Sequence, residues 1–244
     1  MTITLLGNAQ LASGNASPGL DSYMISPAST AGSTLVLTGS TYYNMGAVTG
    51  PLAITDNSGT NVWQYSTADT MNPPTVIAGP LDMTMYYSCW VAWVINAASV
   101  TTINVNFSNS YTTSVSVTYS QWSGIVQGDN GSMITGTSSG TDASCAPVTL
   151  RNAGDMVTGV GYGITGNMGG EPPMGTSSYS SSMTGEQWYA FPGMTGSYTA
   201  TYDNWASNSD YAAVIMSFSP VFLGPVATPP LYQMRSTRQP WRIR

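Results

Sequence analysis

Residues 83–95 restrict this chain more than any other stretch. Their odd positions, Met83, Met85, Tyr87, Cys89, Val91, Trp93 and Ile95, are all apolar, while the even ones are mixed. A repeat of two belongs to a strand with a buried face and not to a helix. After a break at 96–100, Ile103, Val105 and Phe107 alternate with Thr102, Asn104 and Asn106. After a second break at 108–112, Val115, Val117 and Tyr119 alternate with Ser114, Ser116 and Thr118. Taken together, residues 83–120 read as a meander of three strands with one buried and one wetter face. A single meander cannot close its own core, so the remaining chain must supply a second sheet.

Further strands are expected at 2–6, 23–25, 34–38, 62–66, 148–150, 156–164, 188–191, 198–202 and 211–218, with one or two short ones in the Gly/Ser/Thr-rich segment 124–140. In 156–164 the residues Met156, Val160, Tyr162 and Ile164 oppose Val157, Gly159, Gly161 and Gly163, and such a glycine face lets another layer approach closely. In 211–218 both alternating sets are apolar, as in a strand covered on both sides. The segment 166–185 reads as a long loop. No capped run of helical period occurs. The predicted class is therefore all-β, a two-sheet antiparallel jelly-roll-like β-sandwich with long loops and extended N- and C-terminal arms. Its divisions are an N-terminal arm with short strands at 1–32, a sandwich at 33–220, and a Pro/Arg-rich C-terminal arm at 221–244.

Charge is scarce and segregated. Charged residues make up 7% of the 244, and neither Lys nor His occurs. Residues 1–234 carry one Arg against eleven acids, a net −10, whereas the last ten residues carry Arg235, Arg238, Arg242 and Arg244, a net +4. The body thus repels nucleic acid. The tail suits an acidic surface, including that of another copy, with Trp241 as a buried anchor among those arginines. The first fifteen residues lack the basic and apolar regions of a signal peptide, and no run approaches the eighteen apolar residues of a membrane helix. Synthesis in the cytoplasm is the expectation. Cys89 and Cys145 are too few for a disulfide framework, and they read either as one bridge or as two small buried hydrophobes.

The residue inventory removes most chemistry. Without His or Lys, catalytic triads, His-ligated zinc and Schiff bases are excluded. Carboxylates remain, but Glu171, Glu186, Asp203 and Asp210 read as solvated loop residues, so no catalytic residue, resident metal or cofactor is expected. The runs 56–61 and 203–210 hold oxygen ligands that calcium uses. They lack a full loop spacing, and local turn bonds are the ordinary role of such residues. Tyr42, Tyr43, Trp63, Tyr179, Trp188, Tyr189 and Trp205 read as core or subunit interface. Trp188, Tyr189 and Trp205 are also the candidates for stacking on a sugar.

Several short runs occur in a telling order: Ser33-Thr34-Leu35-Val36-Leu37, residues 54–63 (ITDNSGTNVW), 117–124 (VTYSQWSG), Asn152-Ala153-Gly154-Asp155-Met156-Val157, 196–201 (GSYTAT) and 211–220 (YAAVIMSFSP). This order resembles a β-sandwich module that recurs in phage virion proteins and bacterial surface proteins, and the likeness spans about 33–220. The resemblance implies a non-catalytic virion structural component, such as a capsid decoration or minor tail or fibre protein. The implied partners are other virion proteins and copies of itself, with host surface glycans as the alternative. No functional residue carries over from the module. The first 32 residues and the Arg-rich tail depart from the pattern.

Overall fold

The computed structural model describes residues 2–16, 19–25, 28–44, 51–65, 85–107, 113–137, 143–145, 147–163, 177–182, 185–202 and 210–221. Strands in chain order are β1 (Thr4–Ala16), β2 (Gly19–Met24), β3 (Thr34–Asn44), β4 (Pro51–Asp56), β5 (Gln64–Tyr65), β6 (Met85–Val94), β7 (Thr102–Phe107), β8 (Thr113–Ser123) and β9 (Gln127–Thr137). Then come β10 (Ala143–Ser144), β11 (Val148–Leu150), β12 (Met156–Gly163), β13 (Ser177–Ser182), β14 (Gly185–Ala190), β15 (Gly196–Tyr198), β16 (Thr201–Tyr202) and β17 (Asp210–Ser219). The described residues contain no helix, and every strand pair is antiparallel.

The predicted jelly-roll-like sandwich is present and is thicker than two sheets. A central sheet of order β1-β8-β3-β6-β5 is covered on one face by a three-stranded sheet, β2-β7-β4, and on the other by a second five-stranded sheet, β13-β14-β12-β17-β9. Two ribbons, β10-β16 and β11-β15, cover the outer face of that second sheet. Three cores fill the gaps between these layers.

Strand alternation explains how one sheet serves two cores. In β6, Trp90, Ala92 and Val94 face the three-stranded sheet while Cys89, Val91 and Trp93 face the five-stranded one. β3 splits the same way, with Leu35 and Leu37 on one side and Val36 on the other. In β17, Val214, Met216 and Phe218 enter the middle core and Ala213 and Ile215 the outer one, as the doubly apolar pattern predicted. Two glycines admit the largest rings. Gly39 lies opposite Trp90, and a Cβ on it would stand 2.1 Å from that indole. Gly159 lies opposite Trp188, where a Cβ would meet both the ring and the Val214 carbonyl at 2.7 Å. The glycine face read in 156–164 is used at this point for close approach.

Several expectations need correction. Residues 83–120 are not a meander: β6 pairs with β3 and β5, β8 with β1 and β3, and β7 lies in a different sheet between β2 and β4. Alternation specifies which side chains share a face and leaves the partner strand open. The wetter face assigned to β8 is dry, since Ser116, Thr118 and Ser120 are buried against the five-stranded sheet. That of β7 is as read, with Ile103 and Val105 buried and Asn104 and Asn106 half-buried. The N-terminal segment is no outlying arm, because β1 pairs with β8 along its length and β2 with β7. The loop-rich segment 124–140 holds the eleven-residue strand β9, and 166–185 includes β13. Residues 222–244, the C-terminal arm, lie outside the described residues.

Candidate functional site

Six large apolar side chains among the described residues are exposed, between 40 and 72%: Leu6, Met24, Val62, Val126, Phe191 and Met194. Strand register places all six at the same end of the layers. Leu6 occupies the bulge between Leu5 and Gly7, and Leu5 lies opposite Trp122. Met24 is opposite Thr102, the first residue of β7. Val62 precedes β5, whose Gln64 faces Trp93 near the end of β6. The Val126 amide donates to the Ser219 carbonyl at 2.9 Å, where β17 stops. Phe191 and Met194 come after Ala190, which lies opposite Val157 at the start of β12.

An aromatic group anchors this end. Trp122 is fully buried and meets Tyr189 edge-on at 5.1 Å between ring centres, and Phe191 at 6.1 Å. Tyr189 and Phe191 are 6.2 Å apart, again edge to face. Such arrangements set a positive ring edge against a negative face. The Trp122 indole N–H donates to Ser120 Oγ at 2.9 Å, so that ring is fixed from within. Phe191 is therefore the exposed outer member of a rigid cluster.

Three acids described at this end, Asp56, Asp129 and Asp155, already have partners. Asp56 Oδ1 accepts from the Ser58 backbone N–H and hydroxyl, and its Oδ2 accepts from Asn61 Nδ2 at 2.9 Å and Trp63 Nε1 at 3.0 Å. Asn61 Oδ1 in turn accepts from the Ala98 amide at 2.7 Å, and Asn57 Oδ1 from those of Thr101 and Thr102, which ties this loop to the β6–β7 connection. The run 56–61, with its oxygen ligands suited to calcium, thus works as a turn clasp. Among the described residues no three metal-ligating side chains gather. Arg151, the body's one cation, forms a two-pronged pair with the buried side chain of Asp129. Asp155 is buried, and its Oδ2 accepts from the Arg151 and Asn152 amides, which shapes the turn before β12.

The other predicted site residues are not brought together. Trp188 is fully buried in the outer core, which removes it from the sugar-stacking set: its ring lies against Gly159 beneath the ribbons, with no face left for a ligand. Tyr189 is half-buried in the aromatic group. Trp63 is core, so for these two tryptophans the core reading is the one observed. Trp205, together with Arg235, Arg238, Trp241, Arg242 and Arg244, lies outside the described residues, as do Glu171 and Asp203. Glu186, opposite Gly161, and Asp210, opposite Thr137, belong to the far end of the second sheet. Sequence reading missed the apolar end altogether. Its trace was apolar residues set inside turn segments, as in Gly124-Ile125-Val126 and Phe191-Pro192-Gly193-Met194.

The two cysteines are buried thiols in different cores and form no disulfide. Burial pushes Cys145 up to about 12 and raises Cys89 well above its usual value, the latter helped by the charge of Cys145. Burial likewise raises Tyr119 to about 12 and lifts Tyr198.

No family model and no curated protein matches the chain. Among solved structures it is similar to a chain described under "The Triple Jelly Roll Fold and Turret Assembly in an Archaeal Virus", at 12% identity and a TM-score of 0.27. That match covers 86% of this chain and 58% of the other, so the present chain spans little more than half of its neighbour's length. A likeness this distant carries no weight for function.

Proposed function

We propose that this chain is a non-enzymatic bacteriophage virion structural protein, a capsid decoration or minor tail or fibre component. In this reading the apolar end, where β17 stops, faces the particle. The observation that carries the proposal is that six large apolar side chains stand exposed among the described residues, at the end of the layers that also holds Trp122, Tyr189 and Phe191. Exposed apolar side chains of this size, where they join into a patch, mark interaction surfaces. The implied partners are other virion proteins and further copies of this chain. The module resemblance supplies the virion setting, and the inventory without His or Lys supports a role without catalysis.

The distal arginines suit a screened, charge-assisted contact, so attachment should weaken as salt rises, whereas Trp241 should resist salt. The test is particle incorporation, scored by sedimentation at low and high salt. The full chain is expected in purified particles, and a chain ending at 234 should be largely lost from them. Trp241→Ala should reduce occupancy more than any single Arg→Ala, because exposed ion pairs contribute about 1 kcal/mol or less. Wild-type occupancy by the shortened chain would place the contacts elsewhere on the sandwich. Glycan binding abolished by Trp205→Ala would instead make the protein a host-adhesion module.

A further inference from the structure

Among the described strands, β1 and β5 form the edges of the central sheet, β2 and β4 those of the three-stranded sheet, and β13 and β9 those of the second five-stranded sheet. An edge strand offers a row of unpaired N–H and C=O groups that another strand can take up, and folds blunt it by shortness, charge, proline or a bulge. β5 has two residues, β4 opens on Pro51 and closes on Asp56, β2 has six residues and carries Asp21, and β9 carries Asp129 in its pair with Arg151. β13 has six residues and a bulge. β1 differs from all of these: it has thirteen residues, none charged and none proline, and the first charge of the chain comes only at Asp21. Its pairing with β8 has two bulges, and Gly7–Gln10 between them keeps a regular register. Along this strand Thr4, Leu6, Asn8 and Gln10 are exposed, Leu6 by 51%.

We propose that the outer edge of β1 pairs antiparallel with the same edge of a second copy, about a two-fold axis at Ala9, so that two central sheets become one. The register follows from the faces. Residues directly opposite in an antiparallel pair lie on one face, and a two-fold axis repeats each pairing with the copies exchanged. Asn8 and Gln10 lie opposite Ser120 and Thr118, so both belong to the face turned toward the second five-stranded sheet, whereas Ala9 lies opposite Tyr119 on the other face. With the axis at Ala9, Asn8 of each copy stands opposite Gln10 of the other, and two exposed amides can exchange hydrogen bonds there. The small Ala9 meets its own equivalent. Leu6 falls within the paired span and gains cover. An axis at Asn8 would set Gln10 against Leu6 and lose both advantages.

Charge and symmetry select a second copy as the occupant. Residues 1–234 carry a net −10, so two bodies repel unless they meet where acids are absent, and the first twenty residues hold no charge of either sign. The register matches β1 to itself face by face, and an isologous contact closes at two copies. The pairing is a property of the isolated chain and holds whether or not the protein belongs to a virion.

The full chain, sedimented over a range of concentrations, should pass from monomer to dimer, and amide hydrogen exchange in residues 4–16 should slow as the dimer forms. Asn8→Lys with Gln10→Lys sets like charges across the axis twice and should weaken dimerisation by about tenfold or more. Asn8→Asp with Gln10→Lys sets opposite charges across the same axis and should dimerise at least as well as the unaltered chain. Trp241→Ala, which tests the virion reading, should leave the dimer intact, so the two readings fail in different variants. A full chain that is monomeric at every concentration would overturn the proposal. So would a dimer that the two lysines leave unchanged, one that the opposite charges also dissolve, or one that Trp241→Ala abolishes, because the copies would then meet in another register or at another surface. If the double-lysine chain does not fold, the opposite-charge chain and the exchange pattern decide, and slowing confined to strands other than β1 refutes the pairing.

Discussion

Toward the three-stranded sheet, the central sheet presents Leu35, Leu37, Trp90, Ala92, Val94, Val115 and Val117, an almost wholly apolar surface. Toward the five-stranded sheet, the same strands present Val36, Cys89, Val91 and Trp93 beside the buried hydroxyls of Thr38, Ser40, Ser116, Thr118 and Ser120. Gln187 of β14 answers that second group. Its Oε1 accepts from Thr38 Oγ1 at 2.8 Å, and its Nε2 donates to Ser116 Oγ at 2.9 Å. An apolar interface stabilises by area and tolerates small shifts of one layer over the other. A buried hydrogen-bonded seam is satisfied in one register only, and an unmatched group there costs about 1–3 kcal/mol. The first face thus contributes mainly stability, and the second also fixes how the sheets align.

The largest effect is expected on the apolar face. Gly39→Ala would put a Cβ 2.1 Å from the fully buried Trp90 indole, so either the ring or the strand must move. We expect a loss of about 3 kcal/mol or more and mostly insoluble protein, with partial recovery when Trp90→Leu vacates the space. A Gly39→Ala protein that melts within two degrees or so of wild type would show that this face is loosely packed, which would remove the contrast.

The fold was legible in the sequence as far as periodicity reaches. The alternation in 83–95 separates Cys89, Val91 and Trp93 from Trp90, Ala92 and Val94, and the structure assigns these sets to two cores. What periodicity cannot convey is which strand lies beside which. Strands β6, β7 and β8 are consecutive in sequence, yet β3 runs between the first and the last, and β7 crosses to another layer. The hydroxyls of β8 misled for a related reason. Ser and Thr on one face read as a wet surface, and that face becomes a dry seam only through Gln187, which lies 149 positions along the chain from Thr38. The apolar end stayed hidden because Leu6 comes from a bulge in β1, Val126 from the turn before β9 and Phe191 from the segment after β14, and only the strand register brings these to one end.

Raising the pH acts next, on a buried group in each of the three cores. Cys89 on the seam side and Cys145 in the outer core ionise in the unfolded chain near 9.0, but burial raises both in the folded protein, Cys145 to about 12. Tyr119 shifts from 10.0 to about 12 by the same cause. For an acid whose folded value is raised, the stabilisation is fully present below the unfolded value and is lost as pH rises toward the folded one. The melting temperature should therefore fall steadily above pH 9, by an amount equivalent to a few kcal/mol near pH 11. Between pH 6 and 8 it should stay nearly flat, since the chain has no His. Cys89→Ala and Cys145→Ala together should flatten the alkaline fall, and an unchanged slope would assign it to other groups.

On the seam, Gln187→Leu should cost about 1–3 kcal/mol, because Thr38 and Ser116 each lose a partner inside the protein. The same substitution made with Thr38→Val and Ser116→Ala removes both of the hydroxyls that faced Gln187, so the triple variant should regain part of that stability. If the seam sets alignment, the triple variant should also show broadened amide resonances in β14 and β3 despite its recovered melting temperature. Sharp resonances there would mean that the apolar face aligns the sheets alone.

The smallest effect has the opposite sign. Thr118 is buried on the seam face, and its Oγ1 has no hydrogen-bond partner. A hydroxyl in that position carries a desolvation cost with no bond in return. Thr118→Val keeps the branched shape suited to a strand and removes the polar atom, so it should raise stability by about 1 kcal/mol. For a chain of this length that is about 2–4 °C in melting temperature. The matching substitution at Ser116, whose hydroxyl accepts from Gln187, should lower stability instead. The two positions sit on one strand, two residues apart and facing the same way, so opposite signs would separate a bonded hydroxyl from an unbonded one within the seam. A loss at Thr118 comparable to that at Ser116 would mean that the hydroxyl is bonded in solution, through a buried water.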